Sequence, residues 1–474
     1  MVGRGSQHAA RSLLRVAVLL ALLGLGLASP RPGAAQDTLH ALDTNVTVDF
    51  PTSITFHVEA RGPRNITRAE VRFRVEQRSC ALAESSGLAQ FQPGQRVSTS
   101  WTWDTRKGGD LPPGALVRYR WILRDASGEV VEAPEQTYEV ADDRYSWQSL
   151  RQGPLTINWY RGDTAFGTAL MAASQDALGR LDRSAGARPE RPVKLFIYGS
   201  TEDLQGALVF PPEWTGGVAF GGFNIIAISI PPASLAWGQR ALAHELTHVI
   251  VDQVAFNCFR DIPTWLNEGL ATYNEDASGN PLPSYADALK GALDAGGLIS
   301  VRGLGGGFPT SAQQATLAYG ESFSLVQYLT QTYGPEKLGT LLTGFRAGTT
   351  ADAALTQVYG FDQDGLEAQW RRHIGAPPMS QAQQNRTPVP LAPAIPTFEP
   401  YTVSTPTPAL EATPGSTRAV AEATPTVRPL SWGSCNAGLP MPTNAGSHGV
   451  DAATPLLGPL VLAGLALATR RRKR

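Results

Sequence analysis

The sequence predicts a multidomain chain: an N-terminal antiparallel β-sandwich, a central α+β domain, a disordered Pro/Thr-rich linker and a single C-terminal transmembrane helix. Three observations predict it. Short runs of alternating polar and apolar residues, separated by Gly, Pro, Asn and Asp, fill residues 37–142. From about residue 150 the pattern changes to a few strand-like runs followed by many helical ones, ending near 375. Beyond that both patterns vanish: 14 of the 36 prolines fall within 376–450, and an uncharged apolar run follows.

At 474 residues the chain is long enough for two or three domains of roughly 100–200 residues each. Lys and Arg number 40 against 41 Asp and Glu, a net charge of −1. That balance excludes a domain built to coat nucleic acid, so no nucleic-acid partner is expected. The three cysteines, Cys80, Cys258 and Cys435, form no CxxC. They are too few for a disulfide-built scaffold, and a cysteine zinc knuckle is excluded.

Residues 1–35 read as a signal peptide. Arg4, Arg11 and Arg15 precede an apolar run, Val16 to Ala28, and small residues follow in ASPRPGAAQ. The run is short for a membrane span.

Within 37–142, strands are expected at 46–50, 53–60, 69–76, 97–104, 116–125 and 136–142. RGPRN, KGGDLPPG and DASGE supply turns between them. Short strands at this spacing predict an Ig-like antiparallel sandwich, with Trp101, Trp103 and Trp121 as inward bulk. No chemistry is legible here, and the region reads as a support or binding module. NVT at Asn45 and NIT at Asn65 match glycosylation sequons.

In the domain at 150–375, strands are expected at 157–162, 193–199 and within 218–230. Thr164 to Arg183 has helical periodicity, as does about Leu235 to Val254, after Pro231-Pro232. Further helices are expected near 263–275, 311–333, 335–346 and 361–374. Few strands followed by many helices predict an α+β layout.

Residues 376–451 cannot bury enough apolar surface to offset their ordering entropy, and are expected to be disordered. As a semi-rigid stalk they would reach at most ~230 Å. Residues 452–469 are apolar over a length near that of a bilayer core, and 470–474 (RRRKR) form a basic cytoplasmic tail. The ends together predict a cell-membrane protein, single-pass, with its folded domains on the extracellular side. LPMPT at 439–443 departs from a sortase sorting motif by one extra residue and a missing glycine.

The chemistry concentrates in ALAHELTHVI at 241–250. His244 and His248 are four residues apart, so a helix puts both imidazoles on one face, within reach of one ion. Glu245 is placed to hold a water beside that ion. This HExxH pattern is that of a zinc-activated water with the glutamate as general base. Its neighbours are uncharged, as a helix beneath a site requires. Only seven histidines exist in the chain, and these two sit together. A hydrolytic zinc needs a third protein ligand, and IPTWLNEGLATY places Glu268 at the start of another expected helix.

HELTH followed by WLNEGLA resembles the gluzincin zinc metallopeptidases, and is similar to the WLNEGFA stretch of aminopeptidase N–like enzymes. It also resembles the peptidase MA-like domain of bacterial surface proteins. The resemblance covers roughly 150–375 and makes that domain zincin-like. It implies one Zn2+ ion, with His244, His248 and Glu268 as metal ligands and Glu245 as catalytic base. Nineteen residues separate His248 from Glu268, one more than the aminopeptidase spacing. The aminopeptidase GAMEN motif binds a substrate's free amine through its glutamate. Its counterpart here, AFGGFNIIAIS, has no acidic residue, which favours an endopeptidase. The resembled enzymes use a downstream tyrosine as oxyanion donor. Tyr319, in TLAYGESFSLVQYL, is the candidate, ahead of Tyr273, Tyr285, Tyr328 and His373. Asn267 is a candidate for binding substrate backbone. Cys258, in VAFNCFRD, reads either as a small buried residue or as the partner of Cys80.

The expectation is therefore an exported, membrane-anchored zinc metallopeptidase that cleaves a peptide or protein substrate with Glu-assisted, zinc-bound water. The alternative is a catalytically inactive zincin-like surface adhesion or scaffold protein.

Overall fold

The structure is a computed structural model that describes residues 38–81, 83–108, 111–209, 216–259, 262–309 and 311–379. The expected signal peptide, nearly all of the linker, the membrane span at 452–469 and the basic tail lie outside the described residues. No helix among the described residues is long and apolar enough to cross a membrane.

The N-terminal region corrects the sandwich expectation. It is one curled seven-stranded sheet, not two separate ones, and β2 (Ser53–Glu76) pairs with four of its other six strands. The first half of β2 lies between β1 (His40–Asp49) and β4 (Gly94–Asp104); the second half lies between β3 (Ser85–Leu88) and β5 (Leu116–Asp125). Phe56 and Phe73 lie on this same strand, 17 residues apart, or roughly 55 Å if it were straight. Their rings are nevertheless 5.3 Å apart. The register shifts on either side of Ile66 mark where β2 turns the corner, just after Gly62-Pro63. The curl encloses a core of Phe56, Val58, Val71, Tyr119, Trp121 and Leu123. Trp121 is fully buried, whereas Trp101 and Trp103 are only half-buried. β6 (Val130–Glu132) and β7 (Gln136–Glu139) complete the sheet along β5.

The second sheet has the order β11-β12-β10-β9-β8. β9 (Leu155–Trp159), β10 (Val193–Tyr198) and β12 (Ile225–Ser229) are parallel to one another. β8 (Gln148–Gln152) and β11 (Gly217–Phe220) are antiparallel edges. α1 (Thr164–Ala185) makes the crossover from β9 to β10; Asp163 caps its start by accepting from the Phe166 amide, and Gly186, at φ 60°, ends it. A short α2 (Thr201–Gln205) follows. Next come α3 (Leu235–Ala255), α4 (Thr264–Asn274), α5 (Pro283–Ala295), α6 (Ala312–Tyr333), α7 (Pro335–Arg346), α8 (Ala351–Tyr359) and α9 (Gln363–His373). α5 and α8 were not among the helices singled out from the sequence.

Side-chain alternation gives this sheet two faces. Leu195, Ile197, Ile226 and Ile228 point into the helical core. Phe196, Tyr198, Ile225 and Ala227 point into the core of the curled N-terminal sheet. The Tyr198 hydroxyl donates to Asp142 at 2.8 Å, and Lys194 donates to the Gly114 carbonyl at 3.0 Å and to Glu139 at 2.8 Å. Each large side chain buried this way contributes about 1.5–3 kcal/mol. The two regions therefore share apolar surface rather than a loose linker.

Candidate metal centre

Every residue of α3 from Ala241 to Val251 is buried, so the helix that carries HELTH is packed on all sides. Burial on that scale requires its polar side chains to find partners. The Thr247 hydroxyl donates back to the Ala243 carbonyl at 2.8 Å and accepts from the Asn274 amide at 2.8 Å. That contact ties α3 to α4, the helix carrying Glu268. In turn α4 meets α6 at Gly269, where an added Cβ would lie 2.4 Å from the Ser322 carbonyl oxygen. Only glycine lets the two backbones approach so closely. Gly320, one residue after Tyr319, is just as tight: a Cβ there would sit 2.6 Å from the Tyr285 carbonyl oxygen.

This packing brings His244, His248 and Glu268 together, 0%, 4% and 6% exposed. The Glu268 Oε2 lies 3.5 Å from the His244 Nε2 and 3.5 Å from the His248 Nε2. The ring centroids of the two histidines are 4.7 Å apart. A tetrahedral ion with bonds of ~2.0–2.1 Å spaces its donors by roughly 3.3–3.4 Å. The observed separations match that spacing. The His244 Nε2 and Glu268 Oε2 are buried without a hydrogen-bond partner. Two imidazoles and a carboxylate are also the donor set of a catalytic zinc site. These three residues could therefore hold a divalent metal ion.

The other ring nitrogens are committed elsewhere. The His244 Nδ1 donates to Glu275 Oε1 at 2.8 Å, and the His248 Nδ1 donates to Asn267 Oδ1 at 3.1 Å. Both bonds fix the tautomer that leaves Nε2 as the donor atom toward a metal. Asn267, a candidate for binding substrate backbone, is in the structure the hydrogen-bond partner of a histidine. Glu275 was missed. Its signal was its position seven residues, or two helical turns, beyond Glu268.

Burial would lower the His244 imidazole, but Glu268 and Glu275 beside it hold it up at about 9. Burial would likewise raise the Glu268 carboxyl, and His248 and His244 hold it down at about 2. The pocket thus favours positive charge at its centre. Glu245 is 2% exposed, burial pushes its carboxyl up, and its Oε2 has no hydrogen-bond partner. The edge strand β11 passes beside it: a Cβ on Gly217 would lie 3.4 Å from Glu245 Oε1.

Tyr319 is near the cluster, its ring 6.3 Å from that of His244. It stacks on Tyr285 at 5.7 Å and meets Phe308 edge-on at 5.0 Å. The weaker candidates mostly fall elsewhere. Tyr273 packs on Phe323, and Tyr328 packs on His373. Tyr285 does reach the site, behind Tyr319.

Residues 173–376 match the family model described as the Peptidase MA superfamily, and that span contains every residue of the cluster. No curated protein matches. Among solved structures, wild-type OgpA from Akkermansia muciniphila is 11% identical, with 22% of this chain and 28% of that one covered and a TM-score of 0.18. Aminopeptidase A from Legionella pneumophila, in complex with aspartic acid, is 10% identical, with 70% and 49% covered and a TM-score of 0.29. This chain therefore spans less than a third of the first and about half of the second.

Proposed function

We propose that this protein is a zinc-dependent metallopeptidase, exported and anchored by its C-terminus, that cleaves internal peptide bonds. The observation that carries the proposal is the convergence of His244, His248 and Glu268 at tetrahedral donor spacing, with Glu245 alongside. His244, His248 and Glu268 hold the ion. Zinc, when bound there, supplies Lewis acidity toward a water and a carbonyl oxygen. Glu245 takes a proton from the attacking water and passes it to the leaving amine. Tyr319 donates a hydrogen bond to the developing oxyanion. Buried walls around these groups exclude bulk water and strengthen each interaction.

Endopeptidase action is supported by the edge strand. β11 pairs with β12 alone among the described strands, so it is the edge at which an extended peptide would add to the sheet. Its residues, Gly217 to Phe220, include no carboxylate to capture a free amine. The signal-like N-terminus and the apolar, basic C-terminus support export and anchoring.

The test is incubation of the purified chain with a diverse peptide mixture, followed by mass spectrometry. Internal cleavage that stops with chelator is expected, and Glu245→Gln should slow it by ~10²–10⁴-fold. Undiminished cleavage by Glu245→Gln would remove the proposed base. Release of N-terminal residues alone would replace the endopeptidase by an aminopeptidase. No cleavage of any peptide by a zinc-loaded chain would favour the inactive scaffold.

A further inference from the structure

The end of β2 reaches across to the metal-bearing helix. The Arg78 amide donates to the Gly222 carbonyl at 2.7 Å, in the turn that joins β11 to β12. The Arg78 guanidinium pairs with Asp252, in the last turn of α3, and lies 4.6 Å over the Phe256 ring. A Cβ on Gly221 would lie 2.4 Å from Asp252 Oδ2, so the same turn presses on the same aspartate. Two residues after Arg78, Cys80 is joined to Cys258, with Cα atoms 5.4 Å apart. Cys258 lies ten residues after His248 and ten before Glu268. The strap 77–80 therefore holds two of the elements that frame the site: the end of the histidine helix and the hairpin beside Glu245.

We infer that this strap is a positioning element of the metal centre, and that its disulfide makes metal retention dependent on redox state. The inference rests on the metallopeptidase reading above. An ion is held only while three donors from two helices keep their spacing, and groups outside the ligand set typically change metal affinity 10–100-fold. With the disulfide closed, the last turn of α3 cannot move away from the N-terminal sheet. With it open, the strap is left to non-covalent contacts, among them the Arg78–Gly222 backbone hydrogen bond, the partly exposed Arg78–Asp252 pair and the Arg78–Phe256 stack, each of which holds weakly compared with a covalent link.

Cys80 and Cys258 are both exposed, so a reductant can reach them. A dithiol opens the pair by attack of one thiolate on a protein sulfur. The S–S bond breaks and a mixed disulfide forms. The second thiol of the reductant then displaces the remaining protein sulfur. Two electrons and two protons end on Cys80 and Cys258, and the reductant leaves as its own disulfide. A chain that has not yet been oxidised thus holds its ion loosely, and oxidation of the pair secures it.

The test is the rate of zinc transfer to a chromophoric chelator, measured on the full chain in a Cys435→Ser background. The oxidised protein is compared with the same protein opened by a phosphine, which leaves as its oxide with oxygen from water. Cys80→Ser/Cys258→Ser serves as a form with no thiols left to bind zinc. Transfer about 10-fold faster from both opened forms is expected, with slow transfer restored on reoxidation of the phosphine-treated sample. Hydrogen exchange should quicken in 249–255 and stay unchanged in 164–185. Equal transfer rates would overturn the inference and leave the metallopeptidase reading standing. Faster exchange throughout 164–185 would overturn it too, making the disulfide a support of the whole domain. An oxidised chain that retains no zinc would overturn both.

Discussion

Two clusters of buried charged side chains occupy the helical half of this protein, and they are built on opposite principles. Glu321, Glu367 and Arg371 are 0%, 3% and 4% exposed. There the chain provides its own cation. Arg371 pairs with Glu367 one turn away on α9, the Val301 amide donates to Glu367, and the Ile299 amide donates to Glu321 at 3.0 Å. At His244, His248 and Glu268 the ion-pair partners of the carboxylate are, among the described residues, the two imidazoles. A buried cluster with its own guanidinium fastens helices together. One whose carboxylate oxygen stands 3.5 Å from each of two ring nitrogens calls for an ion from outside.

The largest effect that separates the two comes from Arg371→Ala. It strands the buried Glu367 carboxylate, and the urea midpoint should report a loss of about 3–5 kcal/mol. Zinc content per folded molecule should stay unchanged. Lost zinc with unaltered stability would merge the two clusters into one network.

Glu275→Gln acts on the other side of the comparison. It weakens the acceptor for the His244 Nδ1 proton, and zinc affinity should fall ~10–100-fold by chelator competition, with little change in stability. Unchanged affinity would mean that Glu275 does not orient His244.

The smallest effect is a pH slope. Burial pushes Glu321 up to about 8 from an ordinary 4.5. Between those values the folded state holds a proton that the unfolded state has released. The stability it contributes is full below pH 4.5, falls by at most ~1.4 kcal/mol per pH unit, and is lost above pH 8. Glu321→Gln should remove that slope. Parallel stability curves for the two proteins between pH 5 and 8 would contradict it.

Much of the candidate metal site was legible because it is local. The i,i+4 spacing of His244 and His248 needs only a helix, and Glu268 sits in a motif that announces the next one. Glu275 follows the same periodicity but carries no motif, and it was overlooked. The Glu321 cluster joins residues 299, 301, 321, 367 and 371, which only the folded helices bring together. Of the two readings of Cys258, the structure has the pair with Cys80, 178 residues away, and the residue is exposed rather than buried; the sequence left both open because neither neighbourhood shows which distant segment packs beside it. The runs at 53–60 and 69–76 looked like separate strands because the Gly62-Pro63 corner reads as a turn. Tertiary packing of Phe56 on Phe73 decides that the chain bends there without ending its strand.

Metal content tests the central claim most directly. Zinc measured by mass spectrometry on the purified chain should be one ion per molecule, in the wild type and in Glu245→Gln alike. Glu268→Ala should bring it close to none while the protein remains folded. A wild type that binds no divalent ion, or a Glu268→Ala variant that keeps its full complement, would contradict the assignment of this cluster as a metal centre.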